Sequence, residues 1–137
     1  GYGGWVRFII KLNNSSTQCN MKYFHGSGGG GAVTRGVIQT NRMAVMYPQA
    51  NIIASGHTHD QWIVPIAREK LFKSGRIGLD ESLHIRCGTY KDEYADGFGG
   101  WHIERGGAPK SLGAMWLRFF VIDSTDNIIG WEAMRAR

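Results

Sequence analysis

Residues 5–12, WVRFIIKL, are rich in β-forming side chains, NNSST supplies turn chemistry, and residues 19–24, CNMKYF, alternate and end in aromatics. This pattern predicts a β-hairpin. HGSGGGG follows, a loop that must use positive φ or pass close to another part of the chain. Over residues 33–46, Val33, Val37, Ile38, Ala44 and Val45 recur at helical spacing, and Tyr47-Pro48 ends the run. NIIA at 51–54 reads as a short buried strand. Strand, Gly-rich loop, helix and strand together make a βαβ unit.

Beyond residue 60 the chain is β-rich. Residues 61–67, QWIVPIA, read as a strand that Pro65 assigns to a sheet edge. KSGR makes a turn, and SLHIRC at 82–87 alternates, so His84 and Arg86 share a face. Residues 89–111, polar, aromatic and Gly-rich, form a long loop or a shaped insertion; 114–122 is a strong strand, DSTDN turns, and 128–134 pairs back as a terminal hairpin. The expected class is α/β, β-rich after residue 60, within a single domain spanning residues 1–137.

Composition narrows the options. Hydrophobic residues make up 42% and charged residues 20%, ordinary for a globular domain, and no apolar run approaches the ~20 residues of a membrane span. The opening residues carry no secretory pattern, so a cytoplasmic location and no membrane partner are expected. Cys19 and Cys87 stand far apart without a CxxC and read as reduced thiols. The net charge of +5 is placed unevenly: no Asp or Glu precedes Asp60, whereas Arg7, Lys11, Lys22, Arg35 and Arg42 do. Such a basic half attracts phosphate, nucleic acid or an acidic surface.

The candidate chemistry lies in the histidines. In a βαβ unit, groups at the carboxyl ends of neighbouring strands converge on one crevice. His25 ends the 19–24 strand, and His57 and His59 follow the 51–54 strand, so three imidazoles are expected to meet across 32 residues of sequence. Neutral imidazole is a common ligand of transition metals, and Gly26 and Gly56 let the backbone close on a small ion. Arg35 and His102 are candidate substrate-binding residues, with a solvated arginine as the bland alternative for the first. In the 89–111 segment, Asp92, Glu93 and Asp96 read as a solvated turn, Trp101 and His102 stay open between shaping a substrate cleft and a structural role (for Trp101, packing on the sheet), and His84 reads as structural.

NIIASGHTHD resembles the last conserved block of the calcineurin-like metallophosphoesterases, Gly-His-x-His at a strand end, and MKYFHGSG resembles the block before it. The resemblance covers about residues 19–60. It implies a two-sheet sandwich flanked by helices and two divalent ions (Mn, Fe, Zn or Ni). It also implies that His25 and His57 bind one ion and His59 the other. The activity implied is hydrolysis of a phosphoester by metal-activated hydroxide, in a phosphatase, phosphodiesterase or nuclease. The chain departs from the family pattern: the earlier Asp-x-His, Gly-Asp-x-x-Asp and Gly-Asn-His blocks, which supply the carboxylates, are absent. The chain is therefore expected to be the C-terminal half of such a domain, alone inactive or weakly active. A sheet edge left open by a missing N-terminal segment is expected to favour a homo-oligomer.

Two other readings compete. Gly26–Gly31 satisfies GxGxxG between a strand and a helix, but no acid follows about 20 residues on, as a dinucleotide fold requires. A non-catalytic remnant or assembly module would keep the fold without a working metal site. Nucleotide or nucleic acid remains the open substrate alternative to a small phosphoester.

Overall fold

The computed structural model describes residues 2–29, 31, 33–92, 94, 99–123 and 128–136, the side chain of Asp123 excepted. β1 (Gly3–Leu12) and β2 (Ser15–Phe24) pair antiparallel around a two-residue turn in which Asn13 takes φ 53°. Asparagine tolerates that left-handed conformation, which matches the twist of hairpin strands. The chain then crosses over through α1 (Gln39–Met46) and returns as β3 (Ile52–Ser55), parallel to β2. This is the βαβ unit expected from the sequence.

A second hairpin, β4 (Trp62–Leu71) and β5 (Ile77–Arg86), adds β5 parallel to β3 and leaves β4 outside. The result is a five-stranded mixed sheet in the order β1-β2-β3-β5-β4. Pro65 thus lies on an edge strand, where its missing N–H costs no ladder bond. After a loop carrying the short α2 (Trp101–Glu104), β6 (Ala114–Asp123) and β7 (Ile128–Ala136) form an antiparallel hairpin of their own.

Alternation assigns the faces. Phe8, Ile10, Met21, Ala54 and Ile63 surround the buried Cys19, Ile52, Leu83 and Ile85 on one face of the large sheet. Met115, Leu117, Phe119, Trp131 and Ala133 of the β6–β7 hairpin pack against them, with the Phe8 and Phe119 rings 5.0 Å apart. Each fully buried aliphatic side chain contributes about 1.5–3 kcal/mol, so this layer is the main source of cohesion. The opposite face carries Ile53, Ser55, His84 and Arg86 beneath α1, whose Thr40 is buried against it. The architecture is mixed α/β and strand-rich, with a helix on one side of the five-stranded sheet and a hairpin on the other. No helix among the described residues is long and apolar enough to cross a membrane.

Two expectations need correction. The helix begins at Gln39, because Arg35 and Gly36 take φ of 45° and 74° and residues 33–38 form turns instead. β5 begins at Ile77, five residues earlier than the alternation at 82–87 implied, since its first half extends as a solvent-facing hairpin arm with Leu79 exposed. The 89–111 segment carries α2, which fits the shaped-insertion alternative. Cys19 and Cys87 are both free thiols, as expected. Burial pushes Cys19 up to about 12 and raises Cys87 as well, against a lowering backbone hydrogen bond at Met115.

Candidate functional site

β2 and β3 run parallel, so their carboxyl ends emerge side by side. The ladder continues one step past the strands, with the Gly56 amide donating to the His25 carbonyl at 3.0 Å. That step brings the His25 and His57 rings together: Nε2 of His25 lies 3.2 Å from Nδ1 of His57. Gly26, at φ 102°, passes so close that a Cβ there would stand 2.8 Å from the Gly56 carbonyl oxygen and 3.1 Å from the His57 Cβ. The two histidines meet because glycine lets two backbones touch.

His57 and His59 both hold positive φ, 76° and 59°. For residues with a Cβ this conformation costs of order 1–3 kcal/mol each, so surrounding structure must enforce it. The enforcing group is Arg86. Its side chain is 0% exposed, at the carboxyl end of β5. Nε donates to the Ser55 hydroxyl at 3.2 Å, one Nη to the Thr58 hydroxyl at 2.9 Å, and the other Nη to Gln39 Oε1 at 3.4 Å. The guanidinium also lies 4.9 Å from the centre of the Trp62 ring. Burial pulls its pKa below the ordinary value, and the charge of Asp60 partly opposes that. Thr58, the residue between the two histidines, is thereby pinned to the sheet.

With Thr58 anchored, the flanking rings diverge. His57 turns to His25, while His59 faces His102 of α2, their centroids 6.0 Å apart. α2 reaches this position because its loop is closed at the base, where Thr89 and Leu112 form a bridge and the Tyr94 hydroxyl donates to the Gly107 carbonyl. Asp60 accepts an ion pair from Lys110 at 2.9 Å, tying the histidine loop to the far end of that segment. Between the two sides lies a cleft of about 650 Å³. His57, Thr58 and His59 line it together with Gly28, Gly29, Lys91, Trp101, His102, Arg105, Gly107, Ala108 and Lys110.

The structure therefore joins His25 with His57, and His59 with His102; His57, His59 and His102 line the cleft, and His25 stands behind His57. Arg35 lies elsewhere: its side chain is exposed in the 33–38 turns and is not among the lining residues. Its carbonyl instead accepts a hydrogen bond from the Trp62 indole at 3.1 Å. Trp101 lines the cleft, 54% exposed, which favours the cleft-shaping alternative over packing on the sheet. Asp92 is exposed and accepts from the Tyr94 amide at 3.2 Å, a turn arrangement; Glu93 and Asp96 lie outside the described residues. His84 is structural as expected, buried with Nε2 3.3 Å from the Ser82 hydroxyl. The GxGxxG run does not open a helix directly, since seven residues separate Gly31 from Gln39, a poor fit to a dinucleotide loop.

Sequence reasoning missed Arg86 as a functional support; the one usable signal was a charge near the end of the alternating SLHIRC strand, on the face shared with His84. It also missed Lys91, Arg105 and Lys110, for which no local signal exists. As a donor set for an ion, the His25 and His57 nitrogens are spaced much as two ligands of one tetrahedral ion, roughly 3.3 Å apart for bonds near 2.05 Å. The fit is partial. Among the described residues no three His, Cys, Asp or Glu side chains are grouped to hold an ion. The chain matches no family model, no curated protein and no solved structure.

Proposed function

We propose that this chain carries the histidine side of the metal centre of a phosphoester hydrolase. The carrying observation is the approach of His25 and His57 to 3.2 Å at the carboxyl ends of adjacent parallel strands. Neighbouring strand ends are where such folds place ligands. In this reading His25 and His57 hold one divalent ion and His59 contributes to a second, as the resemblance to the metallophosphoesterases implies. Bound there, divalent ions supply a hydroxide near neutral pH. The chain's own residues do the rest. Arg86 fixes the histidine loop through Thr58, and His102 and Arg105 stand across the cleft, where an anionic ester would lie. The carboxylates such a centre needs to balance two cations would come from a segment outside residues 1–137.

A second reading has one observation in its favour, the lack of any three-ligand group among the described residues. In it the chain is an assembly module, and the His25–His57 contact is a hydrogen bond between rings. Titration calorimetry with Mn(II) and Zn(II) on wild type and His57→Ala separates the two. The hydrolase reading expects binding that falls at least ten-fold in the variant; equal binding in both would sink it.

A further inference from the structure

The cleft beside His57 and His59 extends away from them along a wall whose chemistry the hydrolysis of a simple phosphate ester would not need. No described residue lining it is acidic, and Lys91 and Arg105 bring cationic groups to it, joined by Lys110, whose charge is shared with Asp60 at 2.9 Å. Trp101 stands in that wall with its indole half-exposed. The guanidinium of Arg105, the residue that follows α2, lies 4.7 Å from the centre of the ring. His102 meets the same ring edge-on, with centroids 4.9 Å apart. Opposite, Gly29 presents backbone with open space where a Cβ would be.

An aromatic plane backed by arginine, set among cations and next to a candidate phosphoester-cleaving end, matches the recognition of one kind of ligand. Bases stack on indole and guanidinium planes without regard to sequence, while the cations follow the phosphates. The cleft volume lies in the range of pockets that take a unit of nucleotide size. From this arrangement we infer that the cleft binds single-stranded nucleic acid, with a base stacked on Trp101 and the adjoining phosphodiester directed towards His57 and His59. The inference rests on the reading of those histidines as the reacting end and names the substrate class of that same site.

The test is fluorescence anisotropy with a labelled (dT)12 strand and an abasic strand of equal length, in chelator so that neither hydrolysis nor metal enters. Wild-type protein is expected to bind (dT)12 about ten-fold or more tightly than the abasic strand, the scale of one stacked base. Trp101→Ala is expected to erase that difference and Trp101→Phe to keep most of it. Because the first comparison uses only the wild-type chain, it stands even if a variant misfolds. Equal affinity for the two strands, no binding of (dT)12, or an unaltered preference in Trp101→Ala would each overturn the inference. Competition by thymidine monophosphate as effective per base as (dT)12 would also overturn it, in favour of a free nucleotide. If strand binding fails while metal binding still depends on His57, the substrate class falls and the hydrolase reading stands.

Discussion

Two basic side chains sit within the face beneath α1, and each is handled differently. Arg86 keeps its charge among neutral partners, the hydroxyls of Ser55 and Thr58 and the amide of Gln39, so its hydrogen bonds are satisfied while its charge has no carboxylate in contact. A buried arrangement of that kind is costly, and what it secures here is the conformation of the histidine loop. His84, two residues earlier on the same face, avoids the cost by staying neutral. Burial lowers its pKa to about 4, with the Arg68 charge adding, and its Nδ1 has no partner among the described residues. An unfolded histidine titrates at the ordinary value of 6.5. As pH falls from about 6.5 to about 4, the unfolded chain takes up a proton that the folded chain refuses. Stability attributable to His84 is therefore complete above that window, is lost through it, and levels off below. The gap corresponds to up to about 3 kcal/mol. Urea unfolding of wild type and His84→Leu at pH 7 and pH 4.5 checks this. The variant should lose less stability on acidification; parallel losses would show that His84 does not titrate as its burial demands.

At the scale of elements, the site depends on a close crossing of two loops. Gly26 holds φ 102° against the Gly56 carbonyl, so Gly26→Ala meets both a strained backbone and a contact of 2.8 Å with main chain. Alanine at a positive-φ glycine costs more than about 1 kcal/mol. The variant should show that loss in denaturant unfolding, and a weaker His57-dependent metal response should accompany it. Unchanged values on both counts would mean that the loops part easily. The hairpins, the βαβ unit and the edge position of β4 were legible in the sequence, because period-two alternation and turn residues are local signals. The histidines were legible for the same reason: they end strands. The helix start was not, since the apolar spacing from Val33 to Ile38 continues across two residues whose φ is positive. Nor was the cleft wall: α2 meets His59 only because a bridge between Thr89 and Leu112 closes its loop, and no local pattern encodes that closure.

Across the whole molecule, two cations of the acid-free first half meet aromatic rings and an amide. Lys22 lies 5.6 Å from the Trp5 ring centre and 5.1 Å from that of Tyr47, and Arg7 donates to the Asn20 amide oxygen at 3.1 Å. Their charge is therefore left largely uncompensated, and the surface nearby is apolar: Trp5 and Ile9 of β1 and Ile38 and Val45 around α1 are all exposed. β1 is also a sheet edge with unpaired backbone groups. Exposed apolar area beside an open edge favours association, whereas like charge opposes it. Salt decides between them, because screening weakens the repulsion and leaves the apolar term intact. Light scattering should thus give a mass above the 15.3 kDa of one chain, rising with sodium chloride between 50 mM and 500 mM. Ile9→Lys, which adds charge to the edge strand, should lower the mass towards the monomer. A monomeric mass at all salt concentrations would remove self-association. A mass that falls with salt would instead show that the basic half binds through its charge, to acidic groups of another copy.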